Sequence, residues 1–258
     1  MSATTTPLQA GFAHATPSGL ARVLRVLKLH FVNRTGIVWM PLAIFSVIFL
    51  ANWAVWFLVW QGTGGGAELA QATTWSGATS FIFVYMLVVA VQAMNLTFAF
   101  AIGLGSTRRD YALGTGLAFL ILAIAWSLVI GVLAWLEELT GGWWLGGHMF
   151  AAVYFGDDGP IARTWYVFLL FLFFMAIGTI AGALWLRWKQ WGLMIFGLAM
   201  AVILIGSLAI IGLNGAWAQV GAFFAGVGFA GGYPLLLIPT VIAAIIGFAL
   251  LRRASART

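Results

Sequence analysis

Residues 103–115 read GLGSTRRDYALGT. This short polar cluster lies between two long hydrophobic runs, 78–102 before it and 116–136 after it. Arg108 and Arg109 stand at its centre beside Asp110, and Thr107 and Asp110 have the T-x-x-D spacing of a helix-capping box. The spacing predicts a small helix at a membrane surface, held between two spans. What that helix touches is the functional question the chain poses.

The composition makes lipid the main solvent. Of 258 residues, 63% are hydrophobic and 7% charged, against roughly 25% charged in soluble domains. So few charges cannot build a polar exterior, so the expectation is an all-α polytopic membrane protein. The net charge of +6 does not indicate nucleic acid, because the bases sit at the ends of apolar runs and not in a patch interleaved with aromatics. The chain has no cysteine, which excludes disulfides, thiol catalysis and Cys-ligated metal. Residues 1–19 are polar and small and lack the basic start and apolar core of a secretory signal; they read as a disordered cytoplasmic tail.

Residues 20–34 carry an apolar stripe, Leu20, Val23, Leu24, Leu27 and Phe31, with Arg22, Arg25 and Lys28 on another side. This is the pattern of an interfacial helix whose bases meet lipid phosphates. Six apolar runs of spanning length follow: 37–60, 78–102, 116–136, 165–186, 192–213 and 235–251. With a cytoplasmic N-terminus, eleven of the twelve bases fall inside and only Arg163 outside, while five of the six acids fall outside. That bias predicts both termini in the cytoplasm and a location in the plasma or inner membrane. No polar linker separates domains, so residues 20–251 form one membrane domain, followed by a basic cytoplasmic tail, 252–258.

Two outer segments stand out. Residues 137–164 form an acidic loop with an apolar piece, 143–155, expected at the outer interface. Residues 214–234, NGAWAQVGAFFAGVGFAGGYP, are too apolar for a wet loop and read as a re-entrant or surface-lying helical element, with Gly231, Gly232 and Pro234 breaking the run before the last span; the alternative is a last span that starts earlier and is tilted. His148 in the acidic loop could pair with Asp158 on a metal, but one histidine without a ligand motif is weak, and no metal site is assigned.

The missing chemistry narrows the function. There is no P-loop, G-x-S-x-G or H-E-x-x-H motif, and the spans as drawn hold no Asp, Glu, Lys, Arg or His. No catalytic residue is assigned, the chain is not expected to be an enzyme, and a proton relay through the spans is disfavoured. Asn52, Gln92 and Asn95 are the polar residues that could line a translocation path or simply bond between helices. Gly178 and Gly182 have the spacing for close helix approach.

The order of elements resembles the membrane (permease) subunits of bacterial ATP-binding-cassette (ABC) transporters of the type-2 exporter kind. It runs: basic amphipathic helix, two spans, Arg-rich loop, three spans, apolar outer element, last span, basic tail. The match covers about residues 20–251, and the phrase LGSTRRDYALGT is similar to the Gly–Ser/Thr–Arg–Arg phrase in this loop of many such permeases. The resemblance implies an elbow helix (20–34), a coupling helix within the 103–115 loop and a re-entrant element (214–234) before the last span. It further implies ABC ATPase subunits docking on Ser106, Thr107, Arg108, Arg109, Asp110, Tyr111 and Leu113. ATP and Mg would be bound by the partner ATPase and no cofactor by this chain. A second copy or paralogue of the permease would complete the transporter, and the cargo would be a drug, lipid or peptide, hydrophobic or amphipathic. The competing expectations are a stand-alone channel and an accessory scaffold not coupled to ATP.

Overall fold

The structure, a computed structural model, describes residues 18–64 and 66–253. The two expected tails lie outside the described residues, apart from residues 18–19 and 252–253. The protein is 87% helical with no strand among the described residues, which agrees with an all-α membrane protein. The helices are α1 (Gly19–His30), α2 (Thr35–Thr63), α3 (Gly66–Thr73), α4 (Ser80–Gly103), α5 (Arg108–Leu139), α6 (Pro160–Leu213), α7 (Trp217–Gly232) and α8 (Leu237–Arg253). Five helical stretches are long and apolar enough to cross a membrane: α2, α4, α5, α6 and the stretch Trp217–Arg252.

The sequence divides residues 160–213 into two spans, whereas the structure runs them as one helical stretch of 54 residues. At 1.5 Å per residue a straight helix of that length would be about 80 Å long, well over twice the hydrocarbon core. It is not straight. Lys189 has φ 54° and ψ −139°, outside helical space. A Cβ on Gly192 would lie 2.8 Å from the carbonyl oxygen of Leu184, eight residues earlier; in an unbroken helix those residues are about 12 Å apart. The chain therefore turns back at Lys189. The first arm (160–188) holds nearly all the buried residues of α6, and the second (190–213) is exposed along its length.

The short coupling helix is also redrawn. Thr107 caps a helix, its hydroxyl accepting from the Asp110 amide at 3.1 Å, but that helix is α5, which runs for 32 residues without a break. Residues 108–115 are thus the first two turns of a spanning helix and not a separate element. Nothing in ALGTGLAFL stops it, because Gly114 and Gly116 cost helix stability without breaking the ladder.

Helix contacts order the two ends of the molecule. Gly131 of α5 faces Thr164 near the start of α6, Gly178 faces the Leu87 carbonyl of α4, Gly182 faces Met94, and Gly247 of α8 faces Thr179. The first arm of α6 thus runs alongside α4, down from the acidic end of α5. Gly178 and Gly182 do provide the close approach their spacing suggests: an added Cβ would sit 2.4 Å from the Leu87 oxygen and 2.6 Å from the Met94 Cβ.

The acidic end is closed by a folded cap, not by a solvated loop. Glu137, fully buried at the last turn of α5, accepts the amides of Met149 and Phe150 at 3.0 Å and of Ala151 at 2.9 Å. It also accepts the Trp143 indole N–H at 2.9 Å. The left-handed run Gly141–Trp144, φ 57–75°, turns the chain so that these donors converge. Met149, Phe150 and Phe155 are buried in the core, while Trp144 and Val153 of the same apolar piece stay exposed. Arg163, almost fully buried, joins the cap through Glu138 at 2.5 Å and the Gly156 carbonyl at 3.1 and 3.2 Å. Residues 217–232 are helical, with a non-helical step at Gly228 (φ 62°, ψ −175°), and the helix ends at Gly232, where a 3-10 turn, Tyr233–Leu236, leads into α8.

Glu137→Ala would leave four donors without this partner, two of them buried and two partly buried, and the cost is expected on the order of 3 kcal/mol. Thermal unfolding in detergent should show a lower midpoint, and limited proteolysis should open the 142–155 loop. Gly178→Val is expected to cost about 1–3 kcal/mol by overpacking, while Gly197→Val, where a Cβ meets nothing within 4 Å, should unfold close to the wild-type temperature.

Candidate functional site

The opposite end of the bundle is where the arginines gather, and its organising contact is between α1 and the start of α5. Ser18 caps α1, its hydroxyl accepting from the Ala21 amide at 3.3 Å. On the face that follows, Arg22, Val26 and His30 are spaced four residues apart, one line along a helix. Arg22 Nε donates to Asp110 Oδ2 at 2.7 Å. Val26 is fully buried and lies on Gly114, where a Cβ would come within 2.6 Å of it. His30 Nε2 is hydrogen-bonded to Thr115 Oγ1 at 2.9 Å, with the rings of Tyr111 and Phe119 about 6 Å away. Leu20 and Leu24, on the apolar stripe read from the sequence, remain exposed. The helix therefore has two faces, one against α5 and one exposed.

Each residue assigned from the sequence has a definite place here. Of the elbow bases, Arg25 and Lys28 are exposed, but Arg22 is committed to Asp110 and is not a bare lipid-facing charge. Arg25 and Lys28, with Leu104, Gly105 and Ser106, instead line a cleft of about 460 Å³ between α1 and the 104–106 turn. Arg108 reaches across to the end of α8, its Nη1 donating to the carbonyls of Leu251 at 3.2 Å and Arg252 at 2.5 Å. It caps that helix where the dipole is negative.

Tyr111 is completely buried and donates its hydroxyl to the Ala93 carbonyl at 2.6 Å. Asp110 is buried as well, so neither side chain offers the exposed contact expected of it; both are consumed in joining helices. Thr107, Arg109 and Leu113 are exposed. Together with Gly19, Leu20 and Val23 they line a second cleft, about 540 Å³, between α1 and α5.

The three polar span residues do not converge. Asn52 donates to its own helix at Ile48, 2.8 Å away. Asn95 donates to Val91 at 3.1 Å, and its Oδ1 is buried without a partner. Gln92 is exposed. A π-helical turn over Ala93–Thr97 intervenes. It closes by i→i+5 bonds, so the three-residue spacing no longer returns to one face. At the acidic end His148 Nδ1 lies 3.7 Å from Glu137, and Asp158 accepts the Tyr166 hydroxyl at 2.7 Å. Among the described residues no group of three His, Asp or Glu side chains is placed to hold a metal.

The sequence reading missed His30, Gly114, Thr115 and Glu137. For His30 a signal was present, since it stands three residues after Leu27 and seven after Val23, at the edge of the apolar stripe. No family model matches the chain, and no curated protein or solved structure matches it either.

Burial lowers the His30 pKa from the ordinary 6.5 to about 4. The folded chain keeps the ring neutral where the unfolded chain would protonate it. The stability its packing contributes is complete above about pH 6.5 and is lost as the pH falls through about 4. The unfolding midpoint should drop on acidification over that window, and His30→Gln, titrated in parallel, should show a smaller drop. Identical slopes for the two proteins would place the acid sensitivity elsewhere.

Proposed function

We propose that this chain is the membrane subunit of an ABC exporter, moved by separate ATPase subunits that dock on its arginine-rich end. In this reading α2, α4, α5, the two arms of α6 and α8 make six crossings. Both termini lie in the cytoplasm with the arginine-rich end, and α7 is the outer element before the last crossing. A second copy or paralogue completes the pathway for a hydrophobic or amphipathic cargo. ATP and Mg belong to the partner.

The observation that carries the reading is the cleft between α1 and α5. Its exposed parts, Leu20, Leu113, Thr107 and Arg109, are an apolar pair flanked by a cation and a hydroxyl, suited to an apolar and acidic protein surface. Beneath it the contacts are stiff. Arg22–Asp110 ties α1 to α5, Tyr111 ties α5 to α4, and Arg108 ties α5 to α8. A push on the cleft would therefore be delivered to four helices together, which is what a chain with no nucleotide site of its own requires of a docking surface. The earlier assignment narrows accordingly: Thr107, Arg109 and Leu113 meet the partner, with Ser106 beside the adjoining basic cleft, while Arg108, Asp110 and Tyr111 transmit.

The test is gentle-detergent purification of the tagged chain from its native cell. A P-loop ATPase should accompany it in stoichiometric amount. Arg109→Glu and Leu113→Asp, both at exposed positions, should reduce that recovery at least tenfold with no change in the chain's own unfolding midpoint. Recovery of the chain alone, even after crosslinking, together with flux through liposomes holding only this protein, would move the assignment to a stand-alone channel.

A further inference from the structure

A cavity of about 210 Å³ opens between α4, α5, the first arm of α6 and α8, at the arginine-rich end of the bundle. Three threonines line it, Thr115, Thr179 and Thr240, yet none presents a free hydroxyl. Thr115 is bonded to His30 at 2.9 Å, Thr179 donates to the Met175 carbonyl at 2.9 Å, and Thr240 donates to the Leu236 carbonyl at 2.7 Å. The other walls are apolar, among them Phe119, Phe248 and Leu251. The hydroxyl protons of Thr179 and Thr240 are committed within their own helices and the remaining walls are apolar, so the interior suits hydrocarbon. Gly116 and Ala244 on the lining are exposed, so the cavity is reached from the side of the bundle, where lipid lies.

Its rim is cationic. The Arg108 guanidinium is held against the carbonyl of Leu251, a wall residue. The Arg252 guanidinium carbon lies 5.9 Å from the ring centre of Phe248, another wall residue, and the Arg252 side chain is exposed. Two cations thus stand beside wall residues at one end of an apolar cavity.

We propose that this cavity is a binding site for one anionic phospholipid, with an acyl chain between α5, α6 and α8 and its phosphate at Arg108 and Arg252. The charge arrangement selects the occupant. A neutral or zwitterionic lipid would leave the two guanidiniums without a net counter-charge, whereas an anionic headgroup satisfies them at the level where the last helix ends. The bound lipid would wedge between α8 and α5 and brace the joint that Arg108 makes between them. The site does not depend on a transport function, nor on an ATPase partner.

Native mass spectrometry of the purified full-length chain, after exchange into detergent containing either phosphatidylglycerol or phosphatidylcholine, provides the test. One phosphatidylglycerol should survive collisional activation that strips phosphatidylcholine. Arg252→Gln should weaken its retention about fivefold, the effect of one basic residue near an anionic headgroup. Ala244→Trp, which fills the cavity from an exposed position, should abolish it and leave the unfolding midpoint unchanged in lipid-free detergent. Equal retention of the two lipids would overturn the proposal, as would loss with Arg252→Gln but undiminished retention with Ala244→Trp, because the lipid would then be held at the surface without entering the cavity.

Discussion

The pair between Arg22 and Asp110 sets the geometry on which the arginine-rich end depends. Exposed ion pairs contribute about 0–1 kcal/mol, and the Arg22 side chain is only partly buried, so the importance of this one is positional. Asp110 sits in the first turn of α5, where the helix dipole favours a carboxylate. Anchoring Arg22 there fixes the register of α1, bringing Val26 onto Gly114 and His30 onto Thr115, one contact per turn of α1. The residues on either side of Asp110 are then committed. Tyr111 must point into the bundle at Ala93, and Arg108 must point toward α8. Four adjoining helices are assembled from one four-residue run, RRDY, and only Arg109 is left exposed among them.

The same economy governs the rest of the bundle, because an apolar solvent leaves no backbone polar group to water. Where α2 and α4 widen into π turns at Thr35–Trp39 and Ala93–Thr97, a tyrosine hydroxyl is placed on a carbonyl of each turn: Tyr85 on Gly36 and Tyr111 on Ala93, both at 2.6 Å. At the other end Glu137 does for three amides in a row what a helix would otherwise do. A loop can enter the core at Phe150 only because its N–H groups reach a carboxylate first. Buried charge in this protein is thus a device for admitting irregular backbone, and the sites where it occurs are the sites where helices end or loosen.

Length and hydropathy made the helical class and most helix positions readable, since every run above about 20 apolar residues became helix. Periodicity also located α1 and its apolar stripe. It did not reveal the second face, Arg22, Val26 and His30, that lies on α5, because only the apolar stripe has a periodic signature. Thr107 as a cap was legible, but the length of the helix it starts was not: a polar stretch between apolar runs looks like a loop whether or not the backbone ladder continues through it. Asp110 and Tyr111 were misplaced for a related reason. On a sequence they are surface-type residues beside two arginines, and only the crossing of α1 and the π turn of α4 supply the partners that bury them. Glu137 is the extreme case, since its donors lie 12 to 14 residues on and are backbone amides, which carry no residue-type signal.

Burial is divided unevenly, and the division follows from the solvent. The core runs through α2, α4, α5, the first arm of α6 and the 142–155 cap. The second arm of α6 exposes Leu198, Ile203, Ile205 and Ile210 on several sides, and α7 has no buried residue. In water such a stretch would collapse onto the core. In hydrocarbon, apolar side chains gain little by leaving lipid, so only backbone bonding and steric fit hold them in place. The second arm meets the bonding condition alone: its helix is continuous, and its one hydroxyl, on Ser207, returns to the Ile203 carbonyl at 2.6 Å. The turn at Lys189 is accordingly the joint between two regimes, a packed body whose order comes from side-chain contact and an outer arm whose order comes from its own hydrogen-bonded backbone.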